Sequence, residues 1–166
     1  GLILAGTILI FIFEYANPLT IGNMSLFDKI QVSFFQSVTT RTAGFASVPQ
    51  ENLTNASFAI SIILMLIGGS PVGTAGGMKT VTIAVLTCSA FATIRNKNRA
   101  ALFGRCISED SIKKAVAVAV AFFTICTTST ILLLATSNAS VIDVVYETVS
   151  ATATVGLSRN FTTSLN

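Results

Sequence analysis

Residues 115–135 form an unbroken stretch without a charged side chain. As a helix this stretch would be about 30 Å long, which matches the hydrocarbon core of a bilayer. Of the 166 residues in the chain, 52% are hydrophobic and only 10% are charged, whereas about a quarter of the residues in a soluble domain are charged. Composition therefore favours a membrane protein.

The remaining apolar segments predict an all-α membrane fold with interrupted helices. Residues 1–13 form the outer part of a second span, and residues 58–67 and 78–93 form two halves of a third. These halves are separated by "GGSPVGTAGG", residues 68–77, where a continuous helix is disfavoured because glycine costs about 1 and proline about 3 kcal/mol relative to alanine. Two short helices, 26–40 and 141–151, are expected to enter the bilayer and return, with Asp28 and Asp143 near their starts.

Basic residues are concentrated between the spans. Six of the ten lie in one segment, namely Arg95, Lys97, Arg99, Arg105, Lys113 and Lys114. By the positive-inside rule, residues 95–114 are cytoplasmic, and both short helices approach from the outer face. A nucleic-acid patch is the weaker interpretation, because Phe103 is the one aromatic residue in the segment.

Residues suited to enzyme or metal chemistry are sparse in the sequence. The chain has no histidine and no clustered pair of carboxylates. Its three cysteines lack metal or redox spacing and are interpreted as reduced packing residues: Cys88, Cys106 and Cys126. We therefore expect neither an enzyme nor a transition-metal site.

One short motif occurs twice, as "TTRTAGF" at residues 39–45 and as "TATVGLS" at residues 152–158. The alignment continues into the preceding helix, and it matches Phe34 with Tyr146, Thr40 with Thr152, Thr42 with Thr154, Gly44 with Gly156 and Phe45 with Leu157. Irregular backbone at membrane depth is tolerated only where protein buries it or where it lines a water-filled path. Glycine allows such a loop to turn its carbonyl oxygens to one side, where they can replace the water around an alkali cation.

Three segments in this order, "SVTTRTAGF", "GGSPVGTAGGMKT" and "TATVGLS", resemble the Trk/Ktr/HKT superfamily of potassium transport proteins, especially the bacterial pore subunits. The resemblance implies four linked repeats of outer helix, pore helix, filter loop and inner helix around one pore. This chain resembles the third repeat, residues 1–95, then a cytoplasmic basic loop, 96–114, and most of the fourth repeat, 115–166, without its inner helix. The rest of the pore would come from other parts of the same polypeptide.

The resemblance also implies site residues. The filter strands that bind potassium would be Thr42, Ala43, Gly44 and Phe45, and Thr154, Val155, Gly156 and Leu157. Each strand has one glycine where tetrameric potassium channels have two, because Ala46 and Ser158 occupy the next places. An intramembrane gate would include Gly68, Gly69, Ser70, Pro71, Gly73, Thr74, Gly76, Gly77 and Lys79.

Four charged residues near these segments have expected supporting roles. Lys79 would lie about 24 Å along a helix from Arg95 and well inside the bilayer, where it either anchors the gate or repels cations; the alternative is a lysine satisfied by loop carbonyls. Arg41 and Arg159 are expected to brace the filter loops, and Glu147 is a possible brace on the pore helix.

The functional expectation is passive, selective movement of potassium across a bacterial plasma membrane through a single-file filter. The alternative is a cation-coupled secondary transporter, such as a potassium/sodium symporter, because broken helices also form midplane sites in those proteins. The resemblance implies a multi-pass homodimer with a cytosolic nucleotide-binding regulatory subunit, and no covalent cofactor.

Overall fold

The structure, a computed structural model, describes residues 1–69, 76–95, 101–102, 105–137 and 139–159. Within these ranges the chain is mainly helical, with α1 (Leu2–Glu14), α2 (Leu26–Thr39), α3 (Asn55–Leu66), α4 (Thr80–Ile94), α5 (Glu109–Thr136) and α6 (Val141–Thr152). A 3₁₀ turn, Gln50–Asn52, lies between α2 and α3. Two short antiparallel strands, β1 (Ala101–Leu102) and β2 (Arg105–Cys106), precede α5.

The basic segment 96–114 is more ordered than the predicted loop. It contains the β1–β2 pair, and α5 begins inside it at Glu109. Glu109 and Asp110 occupy the first turn of α5, where negative charge is favourable. Residues 96–100 and 103–104 lie outside the described ranges.

Hydroxyl side chains start three of the helices. Ser25, Thr54 and Ser108 each accept a hydrogen bond from the backbone N–H three residues later, at 3.3 Å. In α2 that residue is Asp28, whose carboxylate also accepts the Ser25 hydroxyl proton at 2.7 Å. These caps satisfy N–H groups that a helix leaves unpaired in its first turn.

The exterior is strongly apolar. Within the described residues, α5 is the helix whose length and hydropathy suffice to cross a bilayer, and α1, α3 and α4 are shorter apolar helices. Large side chains such as Phe91, Phe123 and Leu132 are exposed along these helices. Such a surface is stable only against lipid or further protein.

The helices pack as two units that meet through one pair. In the first unit α1 packs against α2 and α3, and in the second α5 packs against α4 and α6. The contact of α3 with α6 joins the units. Met65, Met78, Phe122, Tyr146 and Val149 form a buried cluster at this junction.

Polarity in α2 is reversed relative to a soluble helix. The buried residues are Lys29, Ser33, Gln36, Ser37 and Thr39, whereas Phe27, Ile30, Phe34 and Phe35 are exposed. The buried positions recur at the three- and four-residue spacing of one helical face. The first unit therefore has a polar interior and an apolar surface.

Two separate helices, α3 and α4, lie on either side of the predicted break in the third span. α3 ends at Leu66 and α4 begins at Thr80. Ile67 and Met78 form a parallel β-bridge, which brings the two ends of the 68–77 loop together. Residues 70–75 lie outside the described ranges.

A buried carboxylate joins the end of α1 to the start of α3. Glu14 Oε1 accepts from both the backbone N–H and the hydroxyl of Thr54, each at 2.8 Å. Glu14 Oε2 accepts from the Asn17 amide at 2.7 Å and the Thr20 hydroxyl at 2.5 Å. Four donors thus compensate for burial of the charge.

Replacement of this carboxylate should destabilise the protein. We expect Glu14→Leu to lower the thermal unfolding midpoint of the detergent-solubilised protein by at least about 5 °C, because four buried or partly buried donors lose their acceptor. Asp110→Asn is the control: it removes an exposed 2.7 Å ion pair with Lys114 and should change stability by less than about 1 kcal/mol. Equal midpoints for the two variants would contradict this role for Glu14.

Candidate functional site

The two repeated loops lie directly against each other. We call them the first TxG loop, residues 42–45, and the second TxG loop, residues 154–157. A β-carbon built on Gly44 would lie 3.7 Å from Gly156 Cα and would overlap the Val155 carbonyl oxygen. The two backbones therefore approach so closely that only glycine fits at position 44.

Both TxG loops have the same alternation of backbone conformation. φ is +79° at Thr42 and +76° at Gly44, and +55° at Thr154 and +87° at Gly156. The residue between each pair does not have positive φ. The sign of φ therefore alternates along each loop, which turns the peptide groups away from the directions that they have in a helix or a strand. For threonine this conformation is strained.

The end of each short helix holds the start of its loop. The Thr39 carbonyl accepts from Ala43 N–H at 3.2 Å and Gly44 N–H at 3.3 Å. In the second unit, Val155 N–H donates to the Ser150 carbonyl at 2.8 Å. Loop conformation is thus determined by hydrogen bonds to the last turn of the preceding helix.

Phe45 has an additional partner that its counterpart lacks. The Thr39 hydroxyl donates to the Phe45 carbonyl at 2.6 Å and accepts from the Phe45 N–H at 2.8 Å. The position that corresponds to Thr39 in the second unit is Ala151, which has no hydroxyl. The Phe45 carbonyl is therefore directed toward the end of α2.

The outer sides of the two TxG loops differ in burial. Phe45 is 72% exposed, whereas Leu157, at the matching position, is 2% exposed. Val155 and Leu157 belong to the buried cluster at the junction of the units. The second loop thus packs against α3 and α5 of this chain. In the first loop, by contrast, the Phe45 side chain is exposed.

The ends of the 68–77 loop are hydrogen-bonded to the second TxG loop and to Arg41, the residue that precedes the first TxG loop. The Arg41 guanidinium donates to the Gly68 carbonyl at 2.9 Å, and Gly76 N–H donates to the Thr154 hydroxyl at 2.8 Å. A β-carbon at Gly76 would overlap the Thr154 side chain. Gly77 adopts φ of +74° beside Ala153.

The other predicted members of this site are distributed as follows. Gly69 is at the edge of the described residues, whereas Ser70, Pro71, Gly73 and Thr74 lie outside them. Lys79 directly precedes α4, and its carbonyl accepts the Ile83 N–H at 3.2 Å. Among the described residues, no group of three or more histidine, cysteine or acidic side chains is arranged to hold a metal ion.

Both arginines contact loop carbonyls, as expected for braces. Arg41 binds Gly68, and Arg159 donates to the Glu51 carbonyl at 3.2 Å. Arg159 Nε also lies 3.0 Å from Asp143 Oδ1, and its guanidinium lies over the Phe58 ring at 4.9 Å. Glu147 lies on α6, partly buried, and its role as a brace stays a prediction.

Sequence analysis did not single out the polar side chains between the short helices. Gln36 on α2, Gln50 in the 3₁₀ turn and the Tyr146 hydroxyl on α6 form one buried hydrogen-bonded group. A signal for Gln36 exists in the sequence, because it shares a helical face with Lys29 and Ser33. Gln50 has no such signal, since it lies in an irregular segment.

Comparison with known proteins agrees with this arrangement. The family model described as "TrkH: Cation transport protein" matches residues 2–166. The chain is 38% identical over 165 residues to Ktr system potassium uptake protein B of Vibrio alginolyticus, covering 99% of this chain and 36% of that protein. The protein of the same name from Bacillus subtilis is 38% identical over 156 residues, covering 94% of this chain and 35% of its own length.

A third relative has a broader name. Potassium/sodium uptake protein NtpJ of Enterococcus hirae is 31% identical over 169 residues, covering 99% of this chain and 38% of that protein. The chain thus spans somewhat more than a third of the length of these relatives. Because the family model covers all but the first residue, the chain belongs to the TrkH family of cation transport proteins.

Proposed function

We propose that the two TxG loops are strands of a selectivity filter through which potassium crosses the membrane passively. The observation that carries this proposal is the close contact of two loops from distant parts of the sequence, with matching positive φ at Thr42 and Gly44 and at Thr154 and Gly156. Relatives named as potassium uptake proteins support the choice of ion.

The chemistry of the loops suits a dehydrated monovalent cation. Carbonyl and threonine oxygens bind potassium without a fixed charge, so the ion is released as readily as it is bound. The C-termini of α2 and α6 end at the two loops, and a helix C-terminus carries partial negative charge. Both helices therefore favour a cation at this position.

The proposed ligands come mainly from the glycine-centred part of each strand. We assign them to Thr42, Ala43 and Gly44, and to the second TxG loop. Phe45 has a smaller part, because its carbonyl is bonded to Thr39. The exposed side of the first loop would pack against another pore repeat of the same polypeptide. The two remaining filter strands would also come from other parts of that polypeptide.

The 68–77 loop is proposed as the gate of this pore. Its ends are hydrogen-bonded to Arg41, which directly precedes the first strand, and to Thr154, on the second strand. Movement of the loop would therefore be opposed by the filter loops themselves. Lys79, at the start of α4, would anchor the C-terminal end of the gate or repel cations from it.

The proposed setting is the plasma membrane of a bacterium. Residues 95–114 would face the cytoplasm, because their basic side chains are retained there, and the TxG loops would open to the outside. The relatives are named as proteins of a "Ktr system", a name consistent with partner subunits. The proposed assembly is a homodimer with a cytosolic nucleotide-binding regulatory subunit.

The second candidate is coupled transport of potassium with sodium. It is favoured by the name of the Enterococcus relative and by the helix broken between α3 and α4. Discontinuous helices are also a feature of secondary transporters.

Flux measurements in liposomes separate the two candidates. The complete transporter polypeptide is reconstituted with a potassium gradient and sodium on neither side, on one side or on both. Passive transport predicts rubidium uptake that follows the potassium gradient in all three cases. Uptake that requires a sodium or proton gradient would reject the passive mechanism in favour of coupling.

Substitution of the two loop glycines tests the filter. Gly44→Ala should reduce potassium flux by at least about tenfold, because it combines about 1–2 kcal/mol of backbone strain with overlap of the Val155 carbonyl. Gly156→Ala introduces the strain alone, because no atom of the described residues would lie closer than 3.9 Å to its β-carbon. Rubidium uptake in liposomes should therefore rank unmodified, Gly156→Ala and Gly44→Ala in decreasing order, and full uptake by Gly44→Ala would contradict the assignment.

Loss of the Arg41 anchor tests the gate. A hydrogen bond to a charged group contributes about 1.5–3 kcal/mol, so Arg41→Met should raise the open population, and hence unregulated flux, by about tenfold or more. Arg159→Met is the matched control, because the contacts described for Arg159 are with Asp143, Glu51 and Phe58, and none is with the described ends of the 68–77 loop, residues 68–69 and 76–77. Identical basal flux in Arg41→Met and the unmodified protein would count against this role of the loop.

A further inference from the structure

The amide of Gln50 lies at the centre of a buried polar bridge between α2 and α6. Its Oε1 accepts from Gln36 Nε2 at 2.7 Å and from the Tyr146 hydroxyl at 2.9 Å. Gln36, Gln50 and Tyr146 are exposed by 1%, 2% and 0%, respectively. The bridge thus links the polar face of α2 to α6 through side chains of both helices.

The orientation of the Gln50 amide is determined by its surroundings. Its Nε2 donates to the Val48 carbonyl at 2.8 Å and to Gln36 Oε1 at 3.3 Å. A flipped amide would place its oxygen against the Val48 carbonyl and its NH₂ against the amide of Gln36, with loss of both bonds. The bridge therefore has one fully bonded arrangement.

The bridge connects the helices that end in the two TxG loops. Gln36 lies in the last turn of α2, and its carbonyl accepts the Thr40 N–H at 3.2 Å. The ring of Tyr146, on α6, also stacks on the ring of Phe58, with the centroids 5.4 Å apart. This contact holds the Tyr146 side chain in place. A shift of either helix would stretch the bonds to Gln50.

We propose that Gln50 is a positioning residue that sets the separation of α2 and α6, and through them the spacing of the TxG loops that discriminates potassium from sodium. This inference rests on the proposed filter. Both accounts of selectivity, by cavity size and by carbonyl field strength, require that the oxygens be held at a defined separation. Hydrogen bonds at 2.7 and 2.9 Å fix a distance, whereas apolar side chains can repack.

The test compares two hydroxyl deletions on α6. Tyr146→Phe removes one bond to Gln50 and keeps the ring against Phe58. Thr148→Val removes a hydroxyl that is similarly buried but pairs with Thr130 on α5, at 2.9 Å. The readout is the sodium-to-potassium permeability ratio of the complete transporter, with the thermal midpoint as a measure of stability.

We expect Tyr146→Phe to raise the permeability ratio at least about threefold, the scale of one lost buried hydrogen bond. Thr148→Val should leave the ratio unchanged while lowering the midpoint to a similar extent. Gln50→Leu should raise the ratio further, and adding Tyr146→Phe to it should have little additional effect, because both remove the same bond.

The outcomes separate this inference from the function on which it rests. A potassium-selective unmodified protein whose ratio is unchanged by Tyr146→Phe and Gln50→Leu would overturn the role of Gln50. The role of Gln50 would also be overturned if Tyr146→Phe and Thr148→Val changed the permeability ratio equally, because a general loosening of α6 would explain both changes. An unmodified protein without potassium-selective flux would instead reject the proposed function.

Discussion

In a membrane protein, backbone that leaves a helix must find hydrogen-bond partners in the protein or along a water-filled path, and this constraint limits where irregular segments can lie. Thr39 bonds the backbone of Phe45, Arg41 bonds the Gly68 carbonyl, and Thr154 bonds the Gly76 N–H. The irregular segments thus satisfy one another, and they can do so only when packed together. The close contact of the TxG loops and the 68–77 loop follows from this need.

The same constraint explains the reversed polarity of the short helix α2. Its polar side chains face inward, where they find partners such as the Ile3 carbonyl for Ser37 and the Tyr15 carbonyl for Lys29. Its phenylalanines face outward, where lipid or further protein would cover them. The buried Glu14 and Gln50 groups follow the same tendency, because burial of a polar group without a hydrogen-bond partner costs free energy.

Features with local causes were predictable from the sequence. The limits of the helices agree with prediction to within a few residues, and α5 extends the uncharged stretch at its N-terminal end to Glu109. The β1–β2 pair was not predicted, because the run of basic residues was interpreted by charge alone. The repeat of Thr42 and Gly44 at Thr154 and Gly156 predicted matching loops, and both loops do share their pattern of positive φ.

The sequence by itself determined the membrane class, the break between α3 and α4 and the two glycine loops, because each depends on composition or on residues within a few positions of one another. Only the tertiary structure decided that Gly44 lies against Val155, that Arg41 and Thr154 hold the ends of the 68–77 loop, and that Gln50 joins two helices. These contacts join positions that are far apart in the sequence, and they depend on how the helices pack, which periodicity and propensity do not specify.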